Sequence, residues 1–554
     1  MFGRLLTLAL IVGLGFSPVP ASASTPAGTR PVPSASAAVA AMQPGWNLGN
    51  TFDATGADET SWGNPRTTPE LLKGIRAQGF RSIRVPVTWS QHLGPAPDYT
   101  IDPAALTRLR EVVGWALDDG LYVMINIHHD SWQWINTMPV DHDAVLTRYD
   151  AVWTQIAAAF RDAPQRLVFE SVNEPQFVTG GDDAALLAEL NTSFHRIVRG
   201  SGGGNATRLL VLPTLHTSAD QGYLDQLAGT FTALGDPYLI ATVHYYGYWP
   251  FSVNIAGGYR FDATARQDLL DTFTRLRDTL VAHGIPVIIG EYGLLGFDRG
   301  TDTIEQGEKL KFFELFGYQA RVSGIATMLW DNGQHLDRTA LTWRDPALYA
   351  QISSSWHTRS GTAESDMIFV RRSAPVTSKS VTLLPNGTIF RDVAGLRRGA
   401  DYTLSGDQLT LTASLLKRLL SYGGNTAFSV RFDRGVPWRL EVRPFETPVL
   451  SSATGTVDDF TIPAAFNGDK LATMTAVYAD GSYAGPQNWT PYKEYDRTFA
   501  PNYDSGSITL TPDFFAEVTD GAPVTLVFYF WSGETVGYTA TRTGTTVTGV
   551  PLST

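Results

Sequence analysis

The sequence predicts an α/β fold: a (β/α)₈, or TIM, barrel followed by two small all-β sandwich domains. Three observations carry that expectation. Between about residue 42 and residue 357, apolar runs of strand length alternate eight times with amphipathic helical stretches. Polar residues stand at the carboxyl end of nearly every run, which favours a closed barrel over an open doubly wound sheet. After "SSSWHTRSGTAESD" the helical period gives way to short β-type runs separated by Gly, Asn and Asp turns. A length of 554 residues accommodates two to four domains.

The chain opens on a targeting segment. Arg4 is followed by an apolar stretch over residues 5–16 and then by Ala21, Ser22 and Ala23. That order predicts a secretory signal over residues 1–23 and a secreted, extracellular protein. The apolar stretch is too short to span a bilayer, and no later run is long enough to be a membrane helix. Residues 24–41, rich in Pro, Ala and Ser, read as a linker. The barrel strands follow in order: "GWNLGN", "SIRVPV", "YVMINIHH", "LVFESVNE", "LLVLPT", "IATVHYY", "PVIIGEYG" and "GIATMLWDNG". Helical patterns such as "TPELLKGIRAQGF" and "DPAALTRLREVVGWALDDG" lie between them, opened by Thr or Asp with Pro and closed near Gly. Residues 366–445 read as one β-sandwich and residues 446–554 as a second.

A net charge of -12 and a pI near 5.3 argue against nucleic acid or an anionic membrane as the main partner. The chain has 0 cysteines, so its stability must come from core size rather than disulfides. Eleven of the 14 Trp precede residue 360, concentrating flat aromatic faces in the barrel.

The strand ends give a constellation of polar residues that a barrel would gather at one mouth. Strand 2 offers Arg84, strand 3 His128 and His129, and strand 4 Asn173 and Glu174. Strand 6 offers His244 and Tyr246, strand 7 Glu291 and strand 8 Trp330. Two carboxylates facing across a mouth suit glycoside cleavage, where one carboxyl donates a proton to the leaving oxygen and the other attacks the anomeric carbon. Arg84 is placed to hold one Glu ionised, and His244 to serve the proton of the other. Asn173 supplies an amide for a sugar 2-hydroxyl, Tyr246 a donor to the nucleophile and Trp330 a floor under a sugar ring. Glu170 shares a strand face with Glu174 and reads as a buried structural carboxylate. "HHD" with His142 is a weak metal candidate, because adjacent histidines on a strand point to opposite faces. Trp46, Trp115 and Trp153 read as core. Trp62, Trp89, Trp132, Trp134 and Trp249 lie in or beside loops after strands, where core packing and sugar contact are balanced readings, and Trp62, Trp134 and Trp249 are the ones expected to bind substrate.

On "SIRVPVTW", "INIHHD", "ESVNEP", "VHYYGYWPF", "IIGEYG" and "TMLWDNG", in that order, residues 42–357 resemble glycoside hydrolase family 5. "GWNLGNTFDA" and "HYYGYWPFSVN" are similar to its subfamily 4. The resemblance implies a retaining endo-β-1,4-glucanase, with Glu174 as acid/base and Glu291 as nucleophile. Arg84, His128, Asn173, His244, Tyr246 and Trp330 match the family's remaining active-site positions. It also implies an immunoglobulin-like X2 module over 366–445 and a carbohydrate-binding module of family 46 over 446–554. Trp489 and Trp531 are that last module's exposed-aromatic candidates, with core packing the alternative for each. The expected partner is a β-1,4-linked plant cell-wall polysaccharide. The expected form is a monomer without metal or organic cofactor. A β-mannanase or specialised xyloglucanase would carry the same pair, and a non-catalytic polysaccharide-binding protein is the remaining alternative.

Overall fold

The computed structural model describes residues 33–179 and 182–552, so the predicted signal segment lies outside the described residues. Eight parallel strands close on themselves in sequence order. They are β1 (Gly45–Asn47), β2 (Ser82–Val85), β3 (Tyr122–Ile125), β4 (Leu167–Glu170), β5 (Leu210–Pro213), β6 (Leu239–Tyr245), β7 (Val287–Tyr292) and β8 (Ala326–Leu329). Each of the eight predicted runs supplies one strand. The runs outlast the strands, however. β3 stops at Ile125 and β4 at Glu170, so His128, His129, Asn173 and Glu174 sit on loops beyond them. There the backbone bonds loop to loop: His128 N–H donates to Val87 O at 2.8 Å and Asn173 N–H to Ile127 O at 2.8 Å.

The intervening helices start where side chains accept orphan backbone N–H groups. Thr68 accepts from Leu71 ahead of Pro69, Asp102 from Ala104 ahead of Pro103, and Asp345 from Leu348 ahead of Pro346. Proline costs nothing at these first positions, because its missing N–H would have had no helical partner.

The floor of the barrel differs from expectation. The last residues of the expected linker form, together with Met42, a helix over Ala35–Met42 capped by Ser34. Ala35, Ala38, Val39 and Met42 are its buried face, at the i, i+3, i+4, i+7 spacing of a helix. They pack against Met124, Val168, Val211, Ile240, Ile288 and Met328, one inward side chain from each strand β3–β8. The helix plugs the end of the barrel opposite the mouth, and the barrel unit begins near Ser34 rather than residue 42.

Two β-sandwiches follow. In the first, two four-stranded sheets between Thr362 and Phe445 enclose a core that includes Tyr402, Leu409 and Trp438. In the second, a four-stranded and a five-stranded sheet between Val449 and Pro551 enclose Phe460, Phe514, Phe528 and Tyr538. From Ser34 onward the chain forms one compact unit, so both sandwiches dock on the barrel. Trp531 is part of the joint. It is 9% exposed, meets Tyr259 edge-on at 5.4 Å and lies under the Arg260 guanidinium at 4.6 Å, beside Met367 and Ala472. Its expected role as an exposed sugar platform is therefore corrected: the ring fastens the last module to the β6–β7 loop and to the first sandwich.

The same joint buries a carboxyl. Burial pushes Asp366 well above the usual carboxylate range; Glu305 and Glu308 add to the effect and Lys470 opposes it. The folded chain thus holds a proton that the unfolded chain releases above about pH 4. Stability present below that pH is lost as pH rises toward the folded-state value, because the unfolded state then binds fewer protons. Asp366→Asn keeps the shape without the charge. It is expected to raise Tm near neutral pH and to leave it unchanged near pH 4, as read by calorimetry at both. Equal shifts at the two pH values would contradict this account of the joint.

Candidate active site

At the mouth, β1, β2, the β3 end and β4 contribute a fully buried polar layer of Asn47, Arg84, Asn126 and Glu170. A bare guanidinium could not survive there, and Arg84 is satisfied on every side. Its Nε donates to Glu170 Oε2 at 2.8 Å, and Nη1 donates to Asn47 Oδ1 at 3.0 Å and to Glu291 Oε1 at 2.5 Å. Its Nη2 donates to Asn173 Oδ1 at 2.7 Å. Burial pulls the Arg84 pKa down, but the charges of Glu170 and Glu291 outweigh it and hold the cation more firmly than usual. Glu170 is thus the buried anchor of Arg84 and lies below the cleft.

Glu291 is built into β7 and buried. Its second oxygen accepts from Tyr246 Oη at 2.6 Å. Burial, then the charges of Glu291 and Glu174, push Tyr246 well above its usual pKa, so the phenol stays a donor. With one donor on each oxygen, Glu291 is held in the bonding pattern of a carboxylate. A register shift between Val243 and His244 sets His244 beside Glu291, a bulge that re-aims side chains where they are needed. The preceding Gly290 permits this approach, since a Cβ there would lie 2.8 Å from Thr242 Oγ1.

Glu174 faces Glu291 from the β4 loop, partly exposed to the cleft. Its Oε1 lies 2.7 Å from His244 Nδ1, which is also 3.5 Å from Glu291 Oε2. Burial pulls His244 down, but the charge of Glu291 and the hydrogen bond and charge of Glu174 raise it overall. Oxygens of Glu174 and Glu291 come within 4.8 Å of one another. Glu174 holds φ at 37°, a left-handed conformation rare for a residue with a side chain and further disfavoured before Pro175. Strain of this kind persists where surrounding contacts over-determine it, and it aims the carboxyl into the mouth. Asn173 Nδ2, its partner oxygen fixed by Arg84, is buried without a hydrogen bond and free to donate.

His128 stacks parallel to Trp330, with centroids 6.0 Å apart and planes at 7°. Burial, then the nearby charges of His129, Arg84 and His244, push its pKa well below the usual value, so it is neutral. The expectation that His128 and His129 face opposite ways fails because both lie past the end of β3. Their rings meet edge-on at 4.6 Å, and ring nitrogens of both come within 4.8 Å of an Asp53 oxygen. His142 is elsewhere, bonded to Glu189 and Asp143 on a helix.

The aromatic candidates divide. Trp62 (41% exposed) and Trp132 (39%) flank His129 at 5.3 and 4.8 Å, forming one open aromatic wall. Trp249 (43%) lies 5.9 Å from Trp489 (56%) of the last sandwich, so barrel and module share a second exposed surface. Trp134 corrects the sequence reading. It is 8% exposed, donates to Asp130 Oδ1 at 2.9 Å and carries the Arg148 guanidinium on its face, which makes it packing. Trp89 is buried too, donating to Asn126 O at 3.0 Å.

Sequence reasoning missed four polar members. Asn47 and Asn126 bond Arg84 and Glu170. Asp53 closes the β1 loop by accepting from Asn50 and Thr51 N–H. Asp298 accepts from Asn332 at 3.1 Å, and burial with the charge of Glu291 pushes it up to about 6. Asn and Asp are common turn formers, so only the positions of Asn47 and Asn126 inside apolar runs carried a signal.

A carboxylate clamped by Arg84 and Tyr246, opposite a second carboxyl open to the cleft, can offer an attacking group and a proton from two sides of one bond. Fold and site together define a glycoside hydrolase. The comparisons agree. The family model "Cellulase (glycosyl hydrolase family 5)" matches residues 47–336, with carbohydrate binding domain X2 at 362–442 and the family 46 carbohydrate binding domain at 446–550. Endoglucanase B of Paenibacillus lautus is 53% identical, with 98% of each chain covered. The full-length tri-modular endo-β-1,4-glucanase B of Bacillus halodurans is 49% identical, with a TM-score of 0.91 over 94% of this chain and 99% of that one. A tri-modular subfamily 4 endo-β-1,4-glucanase of Bacillus licheniformis, complexed with cellotetraose, is 30% identical, with a TM-score of 0.77 over 94% of this chain and 100% of that one. The chain belongs to glycosyl hydrolase family 5, as a tri-modular endo-β-1,4-glucanase of the subfamily 4 type that binds β-glucan.

Proposed function

We propose that this enzyme is exported and cleaves β-1,4-glucan chains internally with net retention, by double displacement through Glu174 and Glu291. One observation carries the reading: oxygens of the two carboxyl groups come within 4.8 Å of one another, which fits a closely spaced pair. Retaining enzymes hold their pair about 5–5.5 Å apart, whereas inverting ones leave about 6.5–9.5 Å for a water. Glu174 protonates the glycosidic oxygen while a Glu291 oxygen attacks the anomeric carbon, and the departing chain leaves with that proton. Glu174, now a carboxylate, takes a proton from water as the water displaces Glu291 and closes the cycle. His244, bonded to Glu174 and near Glu291, steadies the proton between the two. Asn173 Nδ2 donates to the sugar 2-hydroxyl, and Trp330 with His128 lines the floor. Proton and nucleophile both come from side chains, so the cycle draws on no metal or organic cofactor.

The substrate class we assign is cellulose-type and related β-glucans, with xyloglucan and mixed-linkage glucan included. The open walls at Trp62 with Trp132 and at Trp249 with Trp489 support it, since exposed aromatics bind the flat faces of sugar rings without fixing decorations. Export is supported by the order Arg4, apolar residues 5–16 and Ala21–Ser22–Ala23. One chain supplies the whole site, which supports a monomer as the active form.

Initial rates on cellulose, xyloglucan, lichenan, glucomannan and galactomannan test the assignment. Activity confined to the mannans would overturn it. Trp489→Ala is expected to lower kcat/KM on polymers about 5- to 30-fold, equivalent to about 1–2 kcal/mol of lost contact. Cellotetraose hydrolysis should change far less. Equal losses on both would reduce the module to a structural brace.

A further inference from the structure

We propose that Asn126 is a positioning residue for hydrolysis, which locks His128 as the Nε2–H tautomer and so makes the ring a hydrogen-bond donor to the sugar beside Glu291. The inference rests on the reading of the site given under Proposed function, and it reaches a residue outside the predicted constellation.

Amide orientation decides the argument. Val87 N–H, which can only donate, approaches Asn126 Oδ1 at 3.0 Å. Glu170 Oε2, already accepting from Arg84 Nε at 2.8 Å, lies 2.9 Å from Asn126 Nδ2. The two contacts admit one orientation of the amide, with the oxygen toward Val87 and the nitrogen toward Glu170. The same nitrogen lies 3.1 Å from His128 Nδ1. An amide NH₂ has two hydrogens. One serves Glu170 and the other faces His128 Nδ1, which must therefore be the acceptor.

A neutral imidazole with an accepting Nδ1 carries its proton on Nε2. Burial keeps His128 neutral, so the question of tautomer has one answer rather than a doubly protonated escape. Nε2 lies across the ring from Asn126 and makes no hydrogen bond among the described residues. Its hydrogen is available to a sugar oxygen. The stack on Trp330 fixes the ring plane and the backbone N–H of His128, donating to Val87 O, anchors its main chain, so the amide is left to choose which nitrogen carries the proton. Arg84, Glu170, Asn126 and His128 thus form one relay: the guanidinium orients the carboxylate, the carboxylate the amide, and the amide the imidazole.

The test is a long-range proton–nitrogen correlation spectrum of the protein with labelled histidine, the His128 signals being assigned by their loss in His128→Phe. Wild type is expected to show the Nε2–H pattern without substrate. Asn126→Asp replaces the donor with an acceptor and should convert His128 to the Nδ1–H pattern. Its kcat/KM should fall about 10- to 100-fold, the scale of losses when a supporting hydrogen bond is removed. Asn126→Ala, which adds no charge beside Glu170, should give mixed tautomers and a smaller loss. An Nδ1–H pattern in wild type would overturn the proposal. So would loss of activity in Asn126→Ala with the tautomer unchanged, which is what a merely structural role produces. Because the spectrum needs no substrate, its outcome is independent of whether the two-glutamate reading holds.

Discussion

Glu291→Ala is expected to fold and to lose at least about 10⁴-fold in kcat on carboxymethyl cellulose, the scale seen when a nucleophile is deleted. Arg84 keeps Glu170, Asn47 and Asn173 in this variant, so the polar layer survives and the loss is chemical. The cavity left by the carboxylate gives a second readout. A small anion such as azide can enter it and attack the anomeric carbon from the nucleophile's side, giving a product of inverted configuration. Glu174→Gln should fail differently. General acid–base help is worth about 10²–10⁴-fold, and that is the loss expected on polysaccharide. An aryl cellobioside with a good leaving group needs no proton for the first step, so the variant should release a burst of phenol and then stall for lack of a base. Near-normal polysaccharide hydrolysis by either variant would sink the assignment.

Arg84→Met should cost both stability and rate. Arg84 is fully buried, and its removal leaves Glu170 and Glu291 as buried carboxylates without their cation. Breaking such a pair from one side costs about 3–5 kcal/mol, read as a fall in the urea midpoint. Adding Glu170→Gln removes one orphaned charge and should recover much of that stability. It should not recover activity, because Glu291 and Asn173 still lack the donors that orient them. Recovery of both together would mean that Arg84 acts through fold stability alone.

Much of this was legible in the sequence, for identifiable reasons. Eight apolar runs with polar ends gave eight strands, because strands buried on both faces need continuous apolar residues. The polar residues beyond each run had nowhere to go but the mouth. What stayed hidden depended on tertiary contact. The residues of Ala35–Met42 carry a helical face, but small Ala side chains after a Pro-rich stretch look like linker until the barrel floor is there to receive them. Trp134 and Trp531 differ from Trp62 and Trp489 only in what packs on them: Arg148 and Asp130 in one case, Tyr259 and Arg260 in the other. The pairing of Trp249 with Trp489 joins residues from two modules, and no local pattern encodes it. The apolar run at β3 outlasts its strand, which ends at Ile125, so His128 and His129 come together on the loop instead of facing apart.

The anomeric configuration of the first product tests most directly whether Glu174 and Glu291 work as a retaining pair. Hydrolysis of a reduced-end cello-oligosaccharide followed by proton NMR, faster than mutarotation, should show the β-anomer appearing first and the α-anomer only later. Initial release of the α-anomer would mean inversion through a water between the two carboxyls and would contradict the account.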